Sequence, residues 1–189
     1  MPTHVALLRG INVGRANRIA MADLRSVVAD LGHAEVATYL QSGNVVFSPA
    51  HEQDPVALAL ELSDSIQQRL AVSCHVVVLT ASQWRSIVAA NPYPAQAAAD
   101  PRTVHAAVQQ DEFTSAEQEG LTRLLVEATA AGSPDHLTVA GRATYLWTPG
   151  GLGRSTLAER LTRAKGPGKD RTTARNWRTV EALARLLGG

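Results

Sequence analysis

The chain has 189 residues, 45% hydrophobic and 19% charged, which excludes a disordered polymer and suits one ordinary domain or two small halves. Its longest apolar runs, Val5–Leu8, Val45–Phe47 and Val76–Leu79, fall far short of the roughly 20 residues that cross a bilayer, and the lone Cys74 excludes an internal disulfide or a cysteine-rich zinc site. The net charge of +1 hides a segregation: residues 1–20 and 141–189 together carry +10, and residues 21–140 carry −9. Such asymmetry favours an anionic partner for the basic ends, with two solvated faces of opposite sign as the plainer alternative.

Val5–Arg9 predicts a buried strand. A polar stretch, "GINVGRANRI", then delays the helical spacing of Met21, Leu24, Val28 and Leu31, which Gly32 ends. Strand-to-helix connections usually run about two to six residues, so this one invites a functional reading. Val36–Leu40 and Val45–Phe47 flank "QSGN" and predict an antiparallel hairpin. Asp54 before Pro55 caps a helix striped by Leu58, Leu62, Ile66 and Leu70, and His75–Thr80 supplies another strand. The resulting order, βαββαβ, reads as a ferredoxin-like split βαβ unit.

Ser82–Ala90 predicts a short helix stopped by "NPYP", and an alanine-rich stretch leads to Asp100-Pro101. Val104–Val108 follows as a strand. Thr114 and Ser115 stand three residues before Glu117 and Gln118, a doubled capping box for the helix faced by Leu121, Leu124, Leu125 and Ala128. Leu137–Val139 and Thr144–Trp147 flank "AGR" as a second hairpin, and Thr156 with Glu159 opens another helix. At the end, Trp177, Val180, Leu183, Ala184 and Leu187 share a helical face, with Thr172 or Thr173 as the expected N-cap. Arg175 and Asn176 would then occupy its first turn.

The expected fold is α+β: two ferredoxin-like (alpha-beta plait) subdomains in tandem, the second lacking its fourth strand, and a C-terminal helix. The boundaries are 1–80 for the first subdomain, 81–102 for a linker with a short helix, 103–165 for the second subdomain, and 166–189 for a basic loop and the last helix.

The stretches "ALLRGINVGRANRIAMADL", "ATYLQSGNVVF", "NPY", "GRSTL" and "TARNWRTVEAL" together resemble the bacterial family catalogued as domain of unknown function 1697. The resemblance implies two alpha-beta plait subdomains and brings no accepted activity, so no catalytic residue is carried over. Arg15 and Ala16 depart from the family's more usual glycine and lysine after the second glycine.

In the first loop, Gly10 and Gly14 beside Asn12 and Asn17 suggest an anion-binding concavity of backbone N–H groups and amides, flanked by Arg9 and Arg15. The alternative is a structural loop whose asparagines bond its own backbone. The loop is no P-loop, lacking Gly-Lys-Ser/Thr, and has neither the third glycine nor the acid of a dinucleotide fingerprint. "PGGLGRST" sets glycines before Arg154, Ser155 and a helix start, and "TARNWR" adds Arg175 and Asn176. The expected ligand site therefore comprises Arg9, Gly10, Asn12, Gly14, Arg15, Asn17, Arg154, Ser155, Arg175 and Asn176. Its ligand would carry phosphate, as a nucleotide or the backbone of a nucleic acid. An enzyme on a phosphorylated small molecule and an interaction protein with an acidic partner are the alternatives.

Other chemistries find less support. The six histidines follow no H-x-x-x-H or H-E-x-x-H spacing, so no metal or other cofactor is expected. Nothing marks a base for Cys74, and Ser42 lies in turn context rather than G-x-S-x-G. The acids Glu117 and Glu119 read as solvated helix surface. Trp84, Trp147 and Trp177 read as core, and the aromatic signature of sheet-face RNA recognition is absent. The single cysteine and the lack of a secretory leader pattern after Met1 predict a cytoplasmic protein, expected to be monomeric and not membrane-bound.

Overall fold

The computed structural model describes residues 1–14, 17–163 and 171–188. It is a mixed α+β protein; the described residues form two four-stranded antiparallel sheets and seven α-helices. The chain divides into two units, Met1–Ser86 with Ala182–Gly189, and Ile87–Glu181.

The first unit runs β1 (His4–Leu8), α1 (Met21–Asp30), β2 (Ala34–Tyr39), β3 (Asn44–Ser48), α2 (Pro55–Leu70) and β4 (Val76–Thr80). Its strand order is β2-β3-β1-β4. Val5 pairs with Val46 on one side and Leu79 on the other. Alternate residues along these strands face opposite ways. Ala6, Leu8, Val45, Phe47, Val76 and Val78 pack on Leu24 and Val28 of α1 and on Leu58, Leu62 and Ile66 of α2. The opposite set, Val5, Leu7, Val46, Val77 and Leu79, is at most 1% exposed. Burial of both faces explains why β1 and β4 read as unbroken apolar runs rather than alternating ones.

Local chemistry closes each element. Asp54 accepts from the Val56 N–H at 2.9 Å to cap α2, and Gly32, at φ +88°, ends α1 by donating to the Ala29 carbonyl. "QSGN" joins two antiparallel neighbours, as expected.

Next come α3 (Ala81–Ala89) and α4 (Pro94–Ala99), the latter from the alanine-rich stretch read as linker. The second sheet follows: β5 (Val104–Val108), α5 (Ser115–Ala130), β6 (His136–Ala140), β7 (Ala143–Trp147), α6 (Thr156–Arg163), β8 (Thr173–Asn176), and then α7 (Trp177–Leu186). Its strand order, β6-β7-β5-β8, repeats the first pattern. Leu137, Leu146 and Leu157 cluster with Ala128, backed by Leu121, Leu124 and Leu125 of α5. The capping box of Thr114 and Glu117 forms in both directions.

Three expectations are corrected here. The second sheet has its fourth strand: residues 173–176 pair with β5, so Arg175 and Asn176 are strand residues and not the first turn of a helix. Pairing with β5 outweighs the helical reading of a four-residue segment that precedes a tryptophan. The cap of α7 is accordingly Asn176, whose Oδ1 accepts from the Thr179 N–H at 3.0 Å and hydroxyl at 2.9 Å, rather than Thr172 or Thr173. Finally, Trp84 and Trp177 are buried, but Trp147 is only half-buried and stacks on His136 with ring centroids 4.8 Å apart.

Two substitutions test this packing by urea denaturation. A Cβ on Gly43, at φ +74°, would lie 2.7 Å from Leu8 Cβ and 2.8 Å from Ile11 Cδ1. Gly43→Ala is expected to cost about 2–4 kcal/mol from strain and overpacking. Trp177, 4% exposed with its ring 6.5 Å from that of Tyr145, should cost about 3–5 kcal/mol when replaced by alanine. An unchanged midpoint for either variant contradicts the packing described.

Candidate functional site

The connection between β1 and α1 is built around one side chain. Two buried apolar residues, Ile11 and Ile19, anchor its ends, and the Arg9 N–H donates to the His75 carbonyl at 2.9 Å. Between the anchors, Asn12 donates from Nδ2 to the carbonyls of Ile19 at 3.0 Å and Gln41 at 2.7 Å, while its Oδ1 accepts from the Ile19 N–H at 2.9 Å. Both amide hydrogens are thus spent, and Asn12 has no donor left for a ligand. Its backbone N–H reaches the Asn17 carbonyl at 2.9 Å, and Asn17 Nδ2 donates to the Gly10 carbonyl at 3.3 Å. The asparagines therefore bond the loop's own backbone, and Asn12 ties it to the "QSGN" turn. That turn is held from beneath by buried Asn44, which donates to the Tyr39 carbonyl at 2.7 Å.

The backbone takes positive φ at Gly10, Asn12, Gly14 and Asn17. Gly10, Val13 and Gly14 are exposed, and among the described residues their N–H groups have no backbone acceptor. Arg9 is half-buried and Arg18 exposed. Arg15 lies outside the described residues.

The remaining expected site residues belong to the second unit. Ser155 caps α6, its Oγ accepting from the Ala158 N–H at 2.8 Å, where Thr156 was the expected opener. The same hydroxyl donates to Asp135 Oδ2 at 2.8 Å, and Ser133 donates to that oxygen at 2.7 Å. Asp135 is 5% exposed and also receives the Leu157 N–H at 3.4 Å. The protein's own carboxylate thus fills the place where the helix start would hold an external anion. Arg154 is exposed. Arg175 is 8% exposed on β8, with Nη1 donating to Thr173 Oγ1 and to the Ala174 carbonyl, both at 2.8 Å. Burial pushes its pKa down to about 10, which still leaves it cationic at neutral pH. Asn176 gives its Oδ1 to the α7 cap.

Sequence reasoning missed a histidine cluster in the first unit. His4 and His33 both lie against Phe47, with centroids 5.9 and 5.0 Å away. They are distant in sequence and joined by no spacing motif, so only the sheet brings them together. Among the described residues no group of three or more His, Cys, Asp or Glu side chains is placed to hold a metal ion, and no helix is long and apolar enough to cross a membrane.

Residues 1–145 match the family described as "Protein of unknown function (DUF1697)". The chain belongs to this family. For this DUF1697 protein the matched span carries the first loop and the "QSGN" turn, and ends before "GRST" and "TARNW". The conserved bacterial protein SP0830 from Streptococcus pneumoniae has a similar fold, at TM-score 0.69 over 98% of both chains and 21% identity. No curated protein matches the chain.

If Asn12 holds the loop, Asn12→Ala should cost about 2–4 kcal/mol, the net worth of three hydrogen bonds. Asn12→Asp keeps the acceptor for the Ile19 N–H but should rescue little of the loss, because its second carboxylate oxygen would face the carbonyls of Ile19 and Gln41. Urea denaturation of both variants checks this; an aspartate variant as stable as the parent contradicts the clasp.

Proposed function

We propose that this DUF1697 protein binds a phosphate-bearing ligand, a nucleotide or the backbone of a nucleic acid, at the loop between β1 and α1. The observation that carries the reading is the Asn12 clasp. It ties Asn12 to Ile19 and Gln41, and beside it the exposed Gly10, Val13 and Gly14 have N–H groups with no backbone acceptor among the described residues. Backbone N–H groups presented this way form an anion-binding concavity. Charge agrees, since residues 1–20 hold Arg9, Arg15 and Arg18 and no acid. Asn12 and Ser155 leave the proposed ligand shell, because their side-chain donors serve the fold, and Asn17, Arg175 and Asn176 each commit part of their polar groups to it.

The strand orders β2-β3-β1-β4 and β6-β7-β5-β8, each in a βαββαβ succession, support reading the two units as tandem ferredoxin-like plaits. Strands β1, β3 and β4 of the first sheet are buried on both faces, which favours a loop over a sheet face as the binding element.

Thermal denaturation of the protein with inorganic phosphate, nucleotides or a short RNA tests the reading, against chloride of equal ionic strength. A ligand at about 100 times its Kd should stabilise by about 2.7 kcal/mol. Arg15→Ala and Arg18→Ala should stay folded and lose most of that gain. Stabilisation no larger than that from chloride, or undiminished in both variants, contradicts it. Binding of RNA that weakens steeply with salt would select nucleic acid over nucleotide.

A further inference from the structure

His33 sits between α1 and β2, 7% exposed. Its Nδ1 accepts the N–H of Ala50 at 3.3 Å. In the neutral ring Nδ1 is then bare and Nε2 carries the proton. That Nε2 is buried without a hydrogen-bond partner, and so is Oε2 of Glu61 on α2. A donor and a carboxylate oxygen are thus both hidden from water and unsatisfied, a costly arrangement.

Ala50 belongs to the connection between β3 and α2. Its neighbours Pro49, His51 and Asp54, with His4 of β1, line an open cleft of about 650 Å³. The Ala50–His33 bond therefore pins one wall of this cleft to the buried ring.

We propose that His33 is a proton-operated latch on the β3–α2 connection: neutral, it holds Ala50, and protonated, it releases Ala50 and pairs with Glu61. A solvent proton taken up at Nδ1 converts the acceptor into a donor, so the Ala50 N–H faces another N–H and its bond is lost. The same proton creates a cation that the unsatisfied Glu61 carboxylate attracts. The two states differ in one hydrogen bond and one ion pair, the kind of local exchange that biases a bistable element.

The charges around the ring act in opposite senses. Desolvation is the largest influence on His33 and lowers its pKa from the usual value of 6.5; Glu61 raises it and His51 lowers it again. His4 is likewise lowered, by desolvation first and then by His33. Glu35 of β2 is already engaged with the Ser48 hydroxyl and the N-terminal ammonium. Because the unfolded chain takes up its proton first, the stability carried by neutral His33 is complete above pH 6.5 and is lost as pH falls through the folded pKa.

The test is a titration of the full chain by nuclear magnetic resonance from pH 8 to pH 5, following the His33 ring and the Ala50 amide together. The two signals are expected to move with one midpoint below 6.5, and amide protection over residues 50–54 should fall with them. Glu61→Gln should lower that midpoint by about 1 unit, the scale on which a nearby opposite charge shifts a titration. His33→Phe should leave the Ala50 amide flat across the range. An Ala50 amide that ignores the ring, a midpoint unmoved in Glu61→Gln, or global unfolding before the ring titrates overturns the latch.

Discussion

The constraint on which the first unit depends is the burial of β1 from both sides. Its residues Val5–Leu8 are at most 2% exposed, and its order in the sheet gives it a hydrogen-bonded neighbour on each edge. A strand enclosed this way cannot present a polar side chain without a large desolvation cost. Polar chemistry is therefore displaced to the sheet's ends. One end carries the Asn12-clasped loop and the "QSGN" turn; His4, the first residue of β1, lines the cleft with Pro49 and His51.

The described ends of the loop show how a polar segment is anchored without regular structure. Ordering each residue costs about 1–2 kcal/mol of backbone entropy, and two buried isoleucines with one asparagine that satisfies three backbone groups offset part of that cost. Glycine or asparagine occupies each of the four positive-φ positions, a conformation in which most other side chains clash with the backbone. Gly43 has a different constraint. It lies so close to Leu8 and Ile11 that no larger side chain fits between the two connections.

The second unit uses charge internally. Asp135 gathers two serine hydroxyls and the α6 start, and buried Glu117 pairs with Arg171 just before β8. The Thr114 hydrogen bonds and Arg171 hold the Glu117 carboxyl below its usual range despite burial. Some of the opposite charge counted along the chain is thus resolved by pairs such as Glu117–Arg171 and Glu127–Arg160. A charge count alone overstates what remains for an external partner, because it does not distinguish a carboxylate facing solvent from one facing an arginine.

Periodicity and capping made most elements legible from sequence. The stripe Leu58, Leu62, Ile66, the Thr114–Glu117 box and the hairpin around "QSGN" each depend on residues a few positions apart, and that local physics is written in the order of the chain. The strand Thr173–Asn176 was not legible, since four residues with one buried arginine carry no period; only pairing with β5 makes them a strand. The same distinction divides the candidate site. Glycines and arginines announced an unusual loop, but whether Asn12 faces a ligand or its own backbone depends on the Gln41 carbonyl, 29 residues away, brought close by the β1–β3 pairing. Ser155 met Asp135, and His33 met Ala50, for the same reason: hydrogen-bond partners are chosen by distance in space, which a single sequence does not state and the tertiary structure decides.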